Sequence, residues 1–121
     1  MVDYADADLV TAILKPTDHL KARAEAHLAL HDVVVPFSVG IELLFVARKH
    51  GVPCRDWIAA ATRHFDVERA DILLAAARAL DLEQVGTVFD AVHAASALQD
   101  DGRLHTTDRK IRASGFPIKG W

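Results

Sequence analysis

Five carboxylates stand where a side chain can do more than face water. Asp6 and Asp8 follow a short apolar stretch, at the point where a strand would turn into a helix. Glu42 lies in Ser38-Val-Gly-Ile-Glu-Leu-Leu-Phe-Val-Ala, with Val39 three residues before it, Phe45 three after and Val46 four after. Those spacings share a helix face. A carboxylate desolvated there is costly unless a cation or hydrogen-bond donors partner it. Asp90 in Val88-Phe-Asp-Ala-Val-His-Ala-Ala and Asp108 in Thr106-Thr-Asp-Arg-Lys-Ile each stand at a helix start. Taken singly, the four aspartates read as helix caps with a favourable dipole contact, and Glu42 as the solvent-facing residue of an amphipathic helix. Gathered at one edge of a sheet they would repel one another without a counter-ion. A divalent cation with hard oxygen ligands removes that repulsion. Mg²⁺ takes only a few carboxylates and keeps several waters, which leaves room for a phosphate and an attacking water.

Short strands alternating with helices would position these groups. Residues 2–5 read as a first strand, interrupted by Asp3, and residues 6–14 carry Leu9, Val10, Ile13 and Leu14 at helical spacing up to Pro16. Thr17 or Asp18 can cap a second helix with Leu20, Ala24 and Leu28 on one face. The β-branched run 33–35, ended by Pro36, predicts a strand. Ser38 can cap a helix running to about His50, with Gly51 past its end. A helix over 53–64, a weaker strand over 65–67 and an apolar stripe of Ile72, Leu73, Ala76 and Leu80 follow. Asp90 opens a helix ending near Gln99, residues 103–106 form a strand after the Asp101-Gly102 turn, and Asp108 caps a last helical turn. This alternation predicts a parallel sheet covered by helices on both faces, with ligands bound beyond the carboxyl ends of the strands. Asp6 and Asp108 are expected to meet at that edge, and Asp90 to start its helix from it.

The remaining features narrow the function classes. At 121 residues the chain suits a single domain over 1–121. No apolar run is long enough to span a bilayer, and the acidic N-terminus lacks the order of a secretory signal. Cys54 is the only cysteine, so no intrachain disulfide forms and a reducing cytoplasm is the default expectation. A net charge of −3 argues against binding nucleic acid by bulk positive charge, though not against a local basic rim. Neither a dinucleotide fingerprint, a P-loop nor a serine-hydrolase elbow is present. His27 and His31 are four apart, and His93 follows Asp90 by one turn; both readings favour packing over metal or base. Trp57 and Trp121 read as core and terminal packing residues.

Together these blocks resemble the PIN domain, the fold of VapC-type toxin ribonucleases and their archaeal relatives. Tyr4-Ala-Asp-Ala-Asp-Leu-Val resembles the family's opening strand, acid and helix, and Ser38-Val-Gly-Ile-Glu-Leu-Leu its second block. Phe89-Asp-Ala-Val-His-Ala-Ala is the closest match, and Leu104-His-Thr-Thr-Asp resembles the closing T-x-D block, so order and spacing agree over nearly the whole chain. The resemblance implies a three-layer α/β/α sandwich with a central, mostly parallel, short-stranded sheet. It also implies an endoribonuclease with Asp6, Glu42, Asp90 and Asp108 around Mg²⁺ or Mn²⁺. Thr106 would hold a carboxylate or water, and Asp8 would support rather than ligate. A homodimer and a small antitoxin that occupies the site are further implications.

The chemistry expected is metal-assisted hydrolysis of an RNA phosphodiester, with no side-chain nucleophile. Arg48, Lys49, Arg109, Lys110 and Arg112 are the candidates for backbone contacts, each with an ordinary reading as a solvated face. Asp100 and Asp101 compete with Asp108 for the place at the metal; Asp108 is favoured because it follows a strand and completes T-x-D. The alternatives are an inactive PIN-like module that binds RNA or a protein, an aspartyl phosphotransferase built on Asp6-Ala-Asp8, and a receiver domain. The second lacks a placed lysine or threonine and the length of an extended core. The third leaves Glu42 and Asp90 unexplained.

Overall fold

The computed structural model describes all residues, 1–121, as a mixed α/β fold of seven helices and short parallel strands. In chain order these are α1 (Ala7–Leu14), α2 (Lys21–Leu28), β1 (Val34–Val35), α3 (Phe37–Lys49), α4 (Cys54–His64), β2 (Asp66–Val67), α5 (Ala70–Asp81), α6 (Val88–Gln99), β3 (Leu104–Thr106), α7 (Arg109–Arg112) and β4 (Ile118–Gly120). The strands form two parallel pairs, β1 with β2 (Val34 opposite Asp66) and β3 with β4 (Leu104 opposite Ile118). The expected first strand is reduced to one parallel bridge between Tyr4 and Val34. There the Val34 amide donates to the Asp3 carbonyl and the Ala5 amide to the Val34 carbonyl. Asp3 thus takes part through its backbone while its side chain stays in water, which is how a charged residue is accommodated at this edge.

Helices carry the core. Its 29 buried residues form one cluster, to which Val10, Leu43, Leu44, Ile58, Leu73 and Ile111 contribute the largest wholly buried side chains, and no polar or charged residue is buried. The stripe of Ile72, Leu73, Ala76 and Leu80 is buried as its spacing predicts, and α5 packs against both α4 and α6. Gly40 on α3 lets that helix approach α5: a Cβ there would overlap the Leu73 side chain. Gly51 ends α3 at φ +66°, the left-handed position that a helix C-terminus asks of glycine.

Several helix starts differ from expectation. Pro36, not Ser38, is the N-cap of α3; Ser38 lies inside the first turn and makes no capping bond. Leu20 occupies the cap of α2, with the Asp18 carboxylate accepting from the Leu20 amide just before it. The start of α4 is capped from 27 residues away, where both Asp81 oxygens accept from the Cys54 and Arg55 amides at 2.8 and 2.9 Å. Trp57 is buried as expected, whereas Trp121, beyond the last residue of β4, is 81% exposed and not the packing residue expected.

Candidate functional site

Asp6 and Asp108 are helix caps, as their ordinary reading has it, but each commits only one oxygen. Asp6 Oδ1 accepts from the Leu9 amide at 2.9 Å at the start of α1. Asp108 Oδ1 accepts from the Lys110 and Ile111 amides at 2.9 and 3.4 Å at the start of α7. The second oxygen of each makes no hydrogen bond. In both cases an extended residue precedes a helix, and the carboxylate is held by amides the helix cannot satisfy itself. Thr106 supports Asp108 differently from expectation: its hydroxyl accepts from the Asp108 backbone amide at 3.0 Å and fixes the turn rather than holding the carboxylate.

Asp90 does not cap α6. The helix begins two residues earlier, at Val88, and the Thr87 hydroxyl takes the cap by accepting from the Asp90 amide at 3.2 Å. The Asp90 carboxylate is therefore half-exposed and free of any protein partner. Glu42 is exposed and also unpartnered, not desolvated. Its helix buries Gly40, Leu43, Leu44 and Ala47, so Glu42 falls outside the core face, and its apolar neighbour Phe45 is itself 45% exposed.

The helices that carry Glu42 and Asp90 meet at one seam. The Phe45 and Phe89 rings meet edge to face with centroids 5.5 Å apart, and Arg48 Nη1 donates to the Gly86 carbonyl at 3.1 Å. These contacts set the second half of α3 against the start of α6, with Glu42 one turn before Phe45 and Asp90 next to Phe89. Asp6 and Asp8 instead open into a groove of about 550 Å³ between α1 and α2, with Leu9, Leu20, Arg23 and His27 among its walls. Reading the sequence singled out neither Arg23 nor the Phe45–Phe89 pair; exposed aromatics carry no periodic signal that separates them from core. His27 stacks on His31 at 4.5 Å, and His93 lies exposed on the surface of α6.

As placed, no three His, Cys, Asp or Glu side chains stand close enough together to hold a metal ion. The donor chemistry nonetheless fits a hard cation. Asp6, Glu42, Asp90 and Asp108 supply only carboxylate oxygens, none is in an ion pair, and each is exposed or half-exposed, so its rotamer can change without repacking the core. Asp100 is engaged elsewhere: Arg69 reaches Asp100 Oδ1 at 2.7 Å and Asp71 Oδ2 at 3.0 Å. Asp101 sits in a turn at φ +54°. Of the basic candidates, Arg48 is anchored on Gly86, Arg112 Nη2 donates to the Thr107 carbonyl at 2.9 Å, and Lys49, Arg109 and Lys110 are exposed without partners.

Cys54 is buried at the start of α4. Burial foremost, and the nearby Asp81 charge, push its thiol up to about 11, so it is neutral and a poor nucleophile at neutral pH. No helix is long and apolar enough to cross a membrane. Compared with family models, curated proteins and solved structures, the chain finds no match in any of the three.

Proposed function

We propose that the chain is a divalent-metal-dependent endoribonuclease with a PIN-like three-layer architecture. The observation that carries this reading is that the acids of all four PIN-like blocks keep free carboxylate oxygens. Glu42 and Asp90 have no protein partner on the α3–α6 seam, and Asp6 and Asp108 each keep one oxygen free beyond an amide-bound one. The resemblance of the four blocks to the PIN family supplies the substrate class. Bound by Asp6, Glu42, Asp90 and Asp108, Mg²⁺ or Mn²⁺ would activate water and screen charge on the phosphate.

The chain's own residues prepare that chemistry. Backbone amides of α1 and α7 engage one oxygen of Asp6 and of Asp108 and leave the other to a ligand. Thr87 takes the cap of α6 and so releases the Asp90 side chain. Thr106 fixes the turn that presents Asp108. Arg48 bridges the seam with positive charge and Lys49 follows it on α3, while Arg109, Lys110 and Arg112 place more on α7. A homodimer and a small inhibitory antitoxin follow from the same resemblance, and a cytoplasmic location from the lone Cys54; all three belong to this proposal.

The test is Mn²⁺ binding by calorimetry on wild type and Asp90→Asn, run beside cleavage of single-stranded RNA. Binding and cleavage that both fall in the variant support the reading. No binding by wild type at millimolar metal would overturn it and favour an interaction module without turnover.

A further inference from the structure

Three rings line the surface where the free carboxylates stand. Phe45 on α3 and Phe89 on α6 are 45% and 54% exposed, and His93, one turn beyond Phe89, is exposed as well. Phe89 lies between the other two, with centroids 5.5 Å from Phe45 at 62° and 6.4 Å from His93 at 28°. The core does not use these rings, and large apolar groups left in water together mark a contact surface. Their surroundings indicate what kind. Arg48 is pinned to Gly86 across the seam beside them, and Lys49 follows it. Half-exposed rings beside positive charge suit bases on a phosphate backbone, the bases meeting the rings and the cations the phosphates.

We propose that Phe45, Phe89 and His93 form a stacking platform for unpaired bases of single-stranded RNA, with Arg48 and Lys49 contacting its backbone. This rests on the nuclease reading, because Glu42 and Asp90 flank the platform and the stacked bases would then adjoin the cleaved phosphate. Stacking on an aromatic tolerates any base, since every base has a π-face. The platform therefore selects for single strands, whose bases are free to leave their neighbours, and not for sequence.

The experiment uses the full chain and a single-stranded heptaribonucleotide carrying one central 2-aminopurine, whose fluorescence is quenched on stacking. Ca²⁺ replaces Mg²⁺ in the binding arm, since it takes the same oxygen donors. Wild type is expected to quench and to bind the single strand more tightly than a duplex of the same sequence. Phe45→Leu and Phe89→Leu keep apolar bulk but lose the π-face, and each is expected to weaken binding by roughly five- to a hundredfold with loss of quenching. Phe89→Tyr is expected to restore both. In Mg²⁺, the leucine variants are expected to raise KM with kcat held. Leucine variants that bind and quench like wild type would overturn the platform. So would leucine variants that convert a dimer to a monomer in sedimentation with RNA affinity unchanged, which would assign the rings to a second copy of the chain. If no variant and no wild type cleaves RNA, the nuclease reading falls by itself, and quenching still decides the platform.

Discussion

Gly40→Ala pits two opposing effects against each other on the helix that carries Glu42 and Phe45. In a helix interior alanine is favoured over glycine by about 0.8–1 kcal/mol. Against that, the new Cβ would overlap Leu73 Cδ1 and stand 3.1 Å from Cδ2 and 3.3 Å from Cγ of the same side chain. Leu73 is wholly buried, so it cannot swing into water; either it leaves its rotamer or α3 moves off α5. Overpacking of this kind costs about 1–3 kcal/mol, and with three atoms crowded the upper part of that range applies. The net expectation is a loss of about 1–2 kcal/mol, a fall in Tm of roughly 4–8 °C for a chain of this length. A double-mutant cycle isolates the cause. Leu73→Ala alone should cost about 2–5 kcal/mol, but in that background Gly40→Ala should stabilise by up to ~1 kcal/mol, because only the propensity difference remains. Urea denaturation of the four proteins gives the coupling, expected near 2–3 kcal/mol. A Gly40→Ala protein that is more stable than wild type, or a coupling within error of zero, would refute the packing argument.

Four further outcomes follow from the same structure. Asp81→Ala should lower stability by about 1–2 kcal/mol in thermal or urea melts, since it strips two amides at the start of α4 of their acceptor; an unchanged Tm would count against that cap. The Cys54 thiol, pushed by burial from an ordinary 9.0 up to about 11, is held neutral by the fold, so its contribution is full below pH 9 and is lost as pH rises from 9 to 11; Cys54→Ala should flatten the stability profile across that window. Arg69 stands at φ +51° and holds both Asp71 and Asp100, so Arg69→Gly, which relieves the left-handed backbone, should melt above Arg69→Ala; the bond from Arg69 also lowers the Asp71 pKa, so that contribution is present at neutral pH and lost as pH falls through the folded value. Asp90→Asn and Glu42→Gln should leave Tm within about 2 °C of wild type, because surface substitutions without partners stay within ±0.5 kcal/mol; a large drop in either would show a structural tie that the free carboxylates do not display.

Helices were legible in the sequence because their apolar residues recur over two turns or more, and α1, α3, α4 and α5 begin and end within a few residues of where spacing puts them. Strands of two or three residues are too short to show alternation. The first shrank to a bridge at Tyr4, and β4 was not foreseen, since Ile118-Lys-Gly becomes a strand only by pairing with β3. The cap of α6 did leave a local signal: Thr87 precedes Asp90 by three residues, the spacing of a capping box, which marks the threonine and not the aspartate as the cap. The cap of α4 left none, because its acceptor lies on another helix. Glu42 is exposed despite apolar neighbours at helical spacing, because Phe45 shares the exposed surface and shields nothing.

The hydrogen bonds sort the chain's acids by what the fold already asks of them. Asp81 gives both oxygens to the start of α4, and Asp71 and Asp100 are held by Arg69. Asp6 and Asp108 give one oxygen each to a helix and keep one. Glu42 and Asp90 give nothing, and neither do surface acids such as Asp3, Asp56 and Glu68; what sets Glu42 and Asp90 apart is their place on the two helices whose seam leaves two phenylalanine rings half exposed. Structure explains the first group completely, half of the second, and none of the third. Free acid and free aromatic surface are each costless or unfavourable to stability when considered alone. Their coincidence on the α3–α6 seam is what a packed core does not require, and it is the feature on which the proposed nuclease reading and the base platform both rest.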